Sequence, residues 1–262
     1  MIHQRSFNVL GNVAIVNFSD EIKNSDKIKF AKEILRKNKF LKTVLEKSGK
    51  FKGRLRKMQT KFLAGEKNKE VLYRENNCSF RFNIDTTYFS PRLNNERIEI
   101  ARKIKKGEEV FVMFAGVAPY SIVIARNSQA KKIYSNEINR EANKYAKMNI
   151  ELNHAKDRVE LVNGDVKRIA LKLKKQNKKF DVIIMPRPNL RESFLKEAFI
   201  LSKKGTRIFY YDFCRIEDRQ KIVDKINSEA KKSGKKIKIL HVDNAGEIAP
   251  YKVRLRVDFE IL

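Results

Sequence analysis

From about residue 95 onward, this 262-residue chain alternates short apolar segments with amphipathic ones, which limits the fold more than any other feature. Short apolar runs bounded by turn residues are typical of buried strands, and the segments between them carry apolar residues at helical spacing. Strands that alternate with helices form a parallel, doubly wound sheet. The segments interpreted as strands are 108–115, 131–138, 157–165, 180–186 and 205–213, and the helices include 95–104, 139–153, 193–202 and 217–233.

The end of the chain breaks this alternation. Residues 235–262 contain two strand-like segments separated by a loop, with no helical pattern between them. Strands connected in this way pair antiparallel. We therefore predict an antiparallel pair at one edge of the sheet.

The first part of the chain has a different pattern, that of a small α+β domain. The sequence therefore predicts an α/β protein with two domains, a smaller one over 1–86 and a larger one over 87–262. In the smaller domain we predict a β-hairpin over 8–18, a helix over 27–37 and strands over 42–49 and 79–85.

The charge of the chain indicates a polyanionic partner. Lys and Arg outnumber Asp and Glu by 59 to 31, which gives a net charge of +28. A charge of this size favours binding to nucleic acid. A lysine-rich surface is also typical of proteins from heat-adapted organisms, and the two interpretations are compatible.

Several classes of protein are not indicated. No stretch resembles a signal peptide or approaches 18 consecutive apolar residues, so we expect a soluble protein of the cytoplasm with no membrane partner. Cys78 and Cys214 lie far apart, and His3, His154 and His241 are scattered. Neither a metal site nor a disulfide framework is therefore expected.

Three successive predicted strands end in residues suited to adenosine. The first runs into the small-residue loop 114–119 and then a helix, whose first N–H groups are accessible to a ligand. The second ends at Glu137, placed to accept both ribose hydroxyls, and the third is followed by Asp165, placed to accept an adenine amino hydrogen. Taken alone, each acid is explained equally well as a helix cap, and the loop is explained equally well as an ordinary tight turn. Together they favour S-adenosylmethionine as the cofactor.

The fourth of these strands ends abruptly at Pro186, Arg187 and Pro188. Proline has no N–H for a sheet ladder, so the chain leaves the sheet there in a stiff, extended turn. This turn is predicted to lie beside the same crevice, where a methyl acceptor would bind.

Four stretches of the chain are informative together: "FKGRLRKMQTKFLAGE", "TTYFSPRLNNERIEIA", "FVMFAGVAPYSIVIA" and "VIIMPRP". They resemble one enzyme family, the class I tRNA (guanine-37-N1)-methyltransferases of archaea and eukaryotes, including the archaeal branch that acts on wyosine intermediates. The resemblance runs from about residue 6 to the end. It implies a Rossmann-like, seven-stranded methyltransferase sheet, a tRNA partner bound through its anticodon stem-loop, and a monomer.

The resemblance also implies roles for individual residues. Glu96 matches the general base, and Arg56 matches the arginine that stabilises charge on the guanine O6. Without the resemblance, Glu96 would be interpreted as a surface residue paired with Arg97, and Arg56 as part of a solvated basic run. The residues expected to contact the substrate are Tyr88, Pro186, Arg187 and Pro188. Those expected to bind the cofactor are Arg97, Phe114, Ala115, Gly116, Pro119, Glu137, Ile138, Asp165, Val166 and Pro186.

The chain departs from the family pattern at three positions. Val112 stands where the family usually has Asp, which puts a cofactor contact in doubt, and Ala118 replaces a glycine. Pro186 stands where most members have an Asn that hydrogen-bonds the target base. A pocket without that amide is expected to admit a tricyclic base as well as guanine, as in the wyosine-linked branch.

The resemblance therefore implies N1 methylation of guanosine 37 in tRNA. The first alternative is C7 methylation of 4-demethylwyosine, in place of that activity or in addition to it. The second is a non-catalytic RNA-binding protein on a methyltransferase fold. Many family members also have an N-terminal domain that contacts the tRNA elbow, which we do not expect here, since the resemblance starts near residue 6.

Overall fold

The computed structural model describes residues 7–49 and 58–262 of the chain. Contacts between Cα atoms divide it into two units, Met1–Pro91 and Arg92–Leu262. The first unit ends later than residue 86 because the segment after its last strand packs back on that unit. The ring of Phe89 stacks on Phe82 with ring centroids 4.7 Å apart and also contacts Tyr73 at 5.1 Å.

The first unit contains a four-stranded sheet in the order β1-β2-β3-β4 and a separate two-stranded sheet, β5-β6. Its core lies between α1 and the larger sheet, where Ala31 and Ile34 pack with Val16 and Val44. The predicted hairpin is confirmed, since β1 and β2 pair antiparallel on either side of Gly11. The elements are β1 Asn8–Leu10, β2 Val13–Val16, α1 Asn24–Lys37, β3 Thr43–Lys47, β4 Thr60–Gly65, β5 Glu70–Glu75 and β6 Cys78–Asn83.

The second unit alternates strands and helices as predicted. Its helices are α2 Asn94–Lys103, α3 Pro119–Asn127, α4 Arg140–Leu152, α5 Val166–Lys175, α6 Leu195–Leu201 and α7 Arg219–Lys232. Its strands are β7 Glu109–Val112, β8 Lys132–Glu137, β9 Val159–Asn163, β10 Phe180–Met185, β11 Ser202–Arg215, β12 Ile237–Ala249 and β13 Lys252–Ile261.

These strands form one seven-stranded sheet in the order β12-β13-β11-β10-β7-β8-β9. The pairs from β9 through to β11 are parallel. β13 pairs antiparallel with both β11 and β12, so the predicted antiparallel pair at one edge is confirmed. The predicted α/β fold class with a seven-stranded, Rossmann-like sheet is therefore confirmed.

The strand order predicts a ligand-binding crevice at one point of this sheet. After β7 the chain continues outward through β8 to β9, then returns to β10 on the other side of β7. The connections after β7 and β10 thus leave the sheet in opposite directions, and ligands of such sheets bind beyond the carboxyl ends of the strands at this point. The strands themselves are buried, with Val112 and Ile184 both 0% exposed.

Candidate active site

The loop after β7 has an unusual backbone conformation. Phe114, Gly116 and Ala118 all have left-handed dihedral angles, with φ of 56°, 59° and 68°. Left-handed conformations are costly for residues other than glycine and cluster at ligand-binding sites. The loop is held in place by the next strand, because the N–H of Ala115 donates to the carbonyl of Asn136 at 2.8 Å.

Glu137, at the end of β8, bonds both the loop after β7 and the turn that follows its own strand. One carboxylate oxygen accepts the N–H of Gly116 at 2.8 Å, and the other accepts the N–H of Asn139 at 2.7 Å. Each carboxylate oxygen has two lone pairs and can accept more than one donor, and ribose hydroxyls are donors of this kind. Glu137 and Gly116, both expected at the cofactor, are therefore in direct contact.

Asp165 follows β9 and caps the next helix. Its Oδ1 accepts the N–H of Lys167 at 3.0 Å. The chain just before it is fixed by Asn136, whose amide donates to the carbonyls of Val162 at 2.7 Å and Gly164 at 3.0 Å. The structure thus shows the capping role, while the contact of Asp165 with adenine remains a prediction, as do those of Val166 and Pro119.

A cavity of ≈540 Å³ lies beside the ends of β8 and β9. One of its lining residues, Ile138, is also among the residues expected to bind the cofactor. The other lining residues belong to α4, β9 and the turn after β9. Its basic lining residues are Arg140, Lys144 and Lys147.

The turn after β10 is tightly bonded. The N–H of Arg187 donates to the carbonyl of Met185 at 2.7 Å, and that of Leu190 donates to the carbonyl of Pro188 at 2.8 Å. Pro186 and Pro188 are half-buried. The stiff turn predicted from the two prolines is therefore present.

Arg187 is turned away from the surface. Its side chain is 0% exposed and forms an ion pair with Asp212 at 2.5 Å. It also donates to the carbonyls of Leu190 and, at 2.7 Å, Glu192. Both Nη atoms are thus directed to β11 and to the loop at 190–192, and a contact of Arg187 with the substrate remains a prediction. Its contacts are those of a residue that holds the turn in place.

Glu96 lies in the first turn of α2, and its side chain is 13% exposed. Its Oε2 accepts the hydroxyl of Tyr211 and the Nη1 of Arg256, each at 2.8 Å. The ion-pair partner of Glu96 is thus Arg256 on β13, rather than the neighbouring Arg97 considered from the sequence.

Arg97 points into the protein beside this group. It is 1% exposed, and its guanidinium lies 5.8 Å from the ring centroid of Tyr120 on α3. The ring of Tyr120 in turn packs against that of Tyr211, with centroids 6.1 Å apart. The contact of Arg97 with the cofactor remains a prediction.

Two expected site residues lie outside the second unit. Arg56 falls outside the residues that the structure describes, so its role remains a prediction. Tyr88 is half-buried in the first unit, in the segment anchored by Phe89.

The sequence interpretation missed Tyr211 and Arg256. A signal for Arg256 is present in "KVRLRVDFEI", where Arg254, Arg256 and Asp258 alternate with apolar residues in a strand interior to the sheet. Charged side chains are rarely buried without partners, so such a pattern indicates a buried ion-pair network.

Two kinds of feature are absent from the described part of the chain. None of its helices is long and apolar enough to cross a membrane. Within the same residues, no group of three or more His, Cys, Asp or Glu side chains is arranged to hold a metal ion.

Comparisons with known proteins agree on one family. The model of the TRM5/TYW2 methyltransferase domain matches residues 71–240, and that of the TYW2 N-terminal domain matches residues 3–68. The tRNA (guanine(37)-N(1))-methyltransferase Trm5b of Pyrococcus abyssi is 33% identical over 257 residues, which cover 98% of this chain and 74% of that protein.

A second relative carries a double name. The tRNA (guanine(37)-N(1))/4-demethylwyosine(37)-methyltransferase Taw22 of Nanoarchaeum equitans is 30% identical over 307 residues, covering 98% of this chain and 100% of that protein. Among solved structures, the crystal structure of wild-type Trm5b from Pyrococcus abyssi superposes with a TM-score of 0.84 at 32% identity, covering 98% of this chain and 75% of that one.

Proposed function

This chain belongs to the TRM5/TYW2 methyltransferase family, and from that premise we propose that it transfers a methyl group from S-adenosylmethionine to N1 of guanosine 37 in tRNA. The observation that carries this proposal is the environment of the Glu96 carboxylate. It is mostly buried and is held through one oxygen by Tyr211 and Arg256.

The second unit has side chains suited to the cofactor. Glu137 accepts backbone N–H groups through both oxygens, and a carboxylate at this position is chemically suited to accept ribose hydroxyls. Phe114 and Gly116 would line the same crevice in the left-handed loop after β7. When bound, S-adenosylmethionine supplies an electrophilic methyl group on a positively charged sulfur.

The chemistry assigned to the chain is proton removal and charge stabilisation. N1 of guanine is a weak nucleophile until it loses its proton, and a carboxylate within hydrogen-bond reach accepts that proton. We assign this role to Glu96. Negative charge then develops on the guanine O6, where a guanidinium stabilises it, and we assign this role to Arg56.

The second candidate activity is methylation at C7 of 4-demethylwyosine. Pro186 favours it, because this residue presents no side-chain hydrogen-bond donor at the position where most of the family has an amide. A turn without that amide is less selective for the hydrogen-bonding edge of guanine. The double name of the relative from Nanoarchaeum equitans agrees with an enzyme that accepts both bases.

The test is a methylation assay on two tRNAs, one with guanosine and one with 4-demethylwyosine at position 37, with the products identified by mass spectrometry of the nucleosides. We expect N1-methylguanosine from the first. Glu96→Gln should lower its rate of formation by about a hundredfold or more and leave S-adenosylmethionine affinity nearly unchanged. Cofactor binding without methylation of either tRNA would favour a non-catalytic RNA-binding protein.

A further inference from the structure

The orientation of Glu96 is set by two side chains of the antiparallel part of the sheet. Tyr211 on β11 and Arg256 on β13 are direct cross-strand partners, so their side chains are neighbours on the same face of the sheet. Both donate to Oε2 of Glu96, each at 2.8 Å. Among the contacts of the described residues, none engages Oε1. One oxygen of the carboxylate is thus anchored, and the other is left to accept a proton.

Arg256 shares its charge among four carboxylates. It is 1% exposed, and its Nε bonds Asp258 at 2.9 Å, while its Nη2 bonds both Glu99 and Asp243 at 2.7 Å. A buried guanidinium that lost its sole partner would be strongly unfavourable. When Glu96 takes up a proton, Arg256 keeps its hydrogen bonds to three other carboxylates. Protonation of Glu96 therefore does not leave an uncompensated buried cation.

Tyr211 is suited to act as a permanent donor. It is 1% exposed, and burial raises the pKa of its hydroxyl well above the ordinary value, with nearby Tyr120 and Glu96 adding to this effect. The hydroxyl therefore keeps its proton near neutral pH and donates it in the hydrogen bond to Glu96.

We propose that Arg256 and Tyr211 are positioning residues for the proton-accepting carboxylate of Glu96, an inference that rests on the proposed function. They fix Oε2, so that Oε1 faces the proton it accepts. Arg256 also limits the electrostatic cost of that proton through its other carboxylate partners.

The experiment combines Arg256→Lys and Tyr211→Phe with Glu96→Gln. Methylation of guanosine-37 tRNA is measured in single turnover at saturating tRNA and S-adenosylmethionine. Each single variant should lower the rate by about tenfold to a hundredfold, because a misplacement of a catalytic group by about 1 Å has effects of that size. The affinities for S-adenosylmethionine and tRNA should stay within about twofold. In the Glu96→Gln background, neither substitution should lower the rate further.

Two control variants make the same substitutions at an arginine and a tyrosine that do not bond Glu96. Arg207→Lys changes another arginine of the sheet, which pairs with Glu108 at 2.6 Å. Tyr134→Phe removes another tyrosine hydroxyl, on β8. Both should methylate at the wild-type rate.

Three results would overturn the inference. The first is a wild-type rate for both Arg256→Lys and Tyr211→Phe. The second is the same fractional loss in both backgrounds, since this would mean that the two residues act independently of Glu96. The third is a wild type that does not methylate guanosine-37 tRNA, which would also overturn the proposed function. If Arg256→Lys fails to fold, the milder Tyr211→Phe decides the question by the same comparison.

Discussion

Ala118 has a left-handed backbone in the loop that follows β7, at φ 68°, as the residue before α3. An L-residue with a side chain is strained in that conformation by about 1 kcal/mol, whereas glycine is not. Ala118→Gly should therefore raise the free energy of unfolding by about 0.5–1 kcal/mol, since part of the gain is offset by the greater entropy of glycine in the unfolded chain.

Urea denaturation measures this difference. Ala115→Gly is the matched control, because Ala115 is in the same loop and does not have a positive φ. That control should be neutral or destabilising. A destabilised Ala118→Gly variant would contradict the expected strain at this position.

Pro186 is predicted to influence which base is methylated. An asparagine there can hydrogen-bond the edge of guanine, but it would be left unpaired against a tricyclic base. An unpaired buried polar group costs about 1–3 kcal/mol, which is enough to change a preference about tenfold. Pro186→Asn should therefore raise the ratio of guanosine to 4-demethylwyosine methylation by about tenfold.

The rates on the two tRNAs, measured in parallel for wild type and variant, give this ratio. Pro188→Asn is the control, because it changes a proline of the same turn, and it should alter both rates alike. An unchanged ratio for Pro186→Asn would mean that this proline only ends the strand.

At the scale of single residues, the sequence predicted positions in the chain but not partners. Glu137 and Gly116 were both expected at the cofactor, and they are in contact. The partners of Glu96 lie 115 and 160 residues away along the chain, on two strands that only the folded sheet brings together. The burial of Arg187 against Asp212 also depends on the register of β11, which the sequence pattern does not specify.

The elements were predicted best where the pattern is periodic and uninterrupted. The five parallel strands and the final antiparallel pair were all found from apolar runs. β4 and β5 were missed, because their burial does not alternate regularly and both strands carry exposed polar or charged residues. β11 is longer than predicted and extends to Arg215, because β13 continues to pair with it there.

The attachment of α2 to the sheet is predicted to depend on pH. A hydrogen bond from Arg256 is the main cause that lowers the pKa of Glu99 from 4.5 to about 2. A carboxylate with a lowered pKa stabilises the folded state above its ordinary pKa, and that contribution is lost as the pH falls through its pKa in the fold. The contribution of Glu99 should therefore be complete above about pH 5 and decline between about pH 4.5 and 2.

The free energy of unfolding of wild type and Glu99→Gln, measured from pH 7 down to pH 2, gives this contribution as a difference. The Glu99 side chain is 48% exposed, so solvent screening limits the difference to less than about 1 kcal/mol near neutral pH. A difference that stays constant down to pH 2 would mean that the ionised form of Glu99 does not contribute.

At the scale of the whole molecule, the net charge of +28 determines how RNA is expected to bind. Each phosphate that a lysine or arginine neutralises releases bound counterions, so the affinity falls as salt is added. Contacts with phosphates differ in this respect from contacts with bases, because hydrogen bonds to a base edge depend little on salt. A protein with this excess of cations should obtain most of its tRNA affinity from phosphates.

The affinity for tRNA should therefore decrease steeply with ionic strength. If about six phosphates are neutralised, the dissociation constant should rise about a thousandfold between 50 and 200 mM salt. Filter binding or fluorescence anisotropy over this range measures the slope, and an unrelated tRNA of the same length shows how much of it is independent of sequence. Because phosphates carry no sequence information, the two slopes should be nearly equal while the methylation rates differ. A flat salt profile would mean that shape and base contacts, rather than the charge of the protein, hold the RNA.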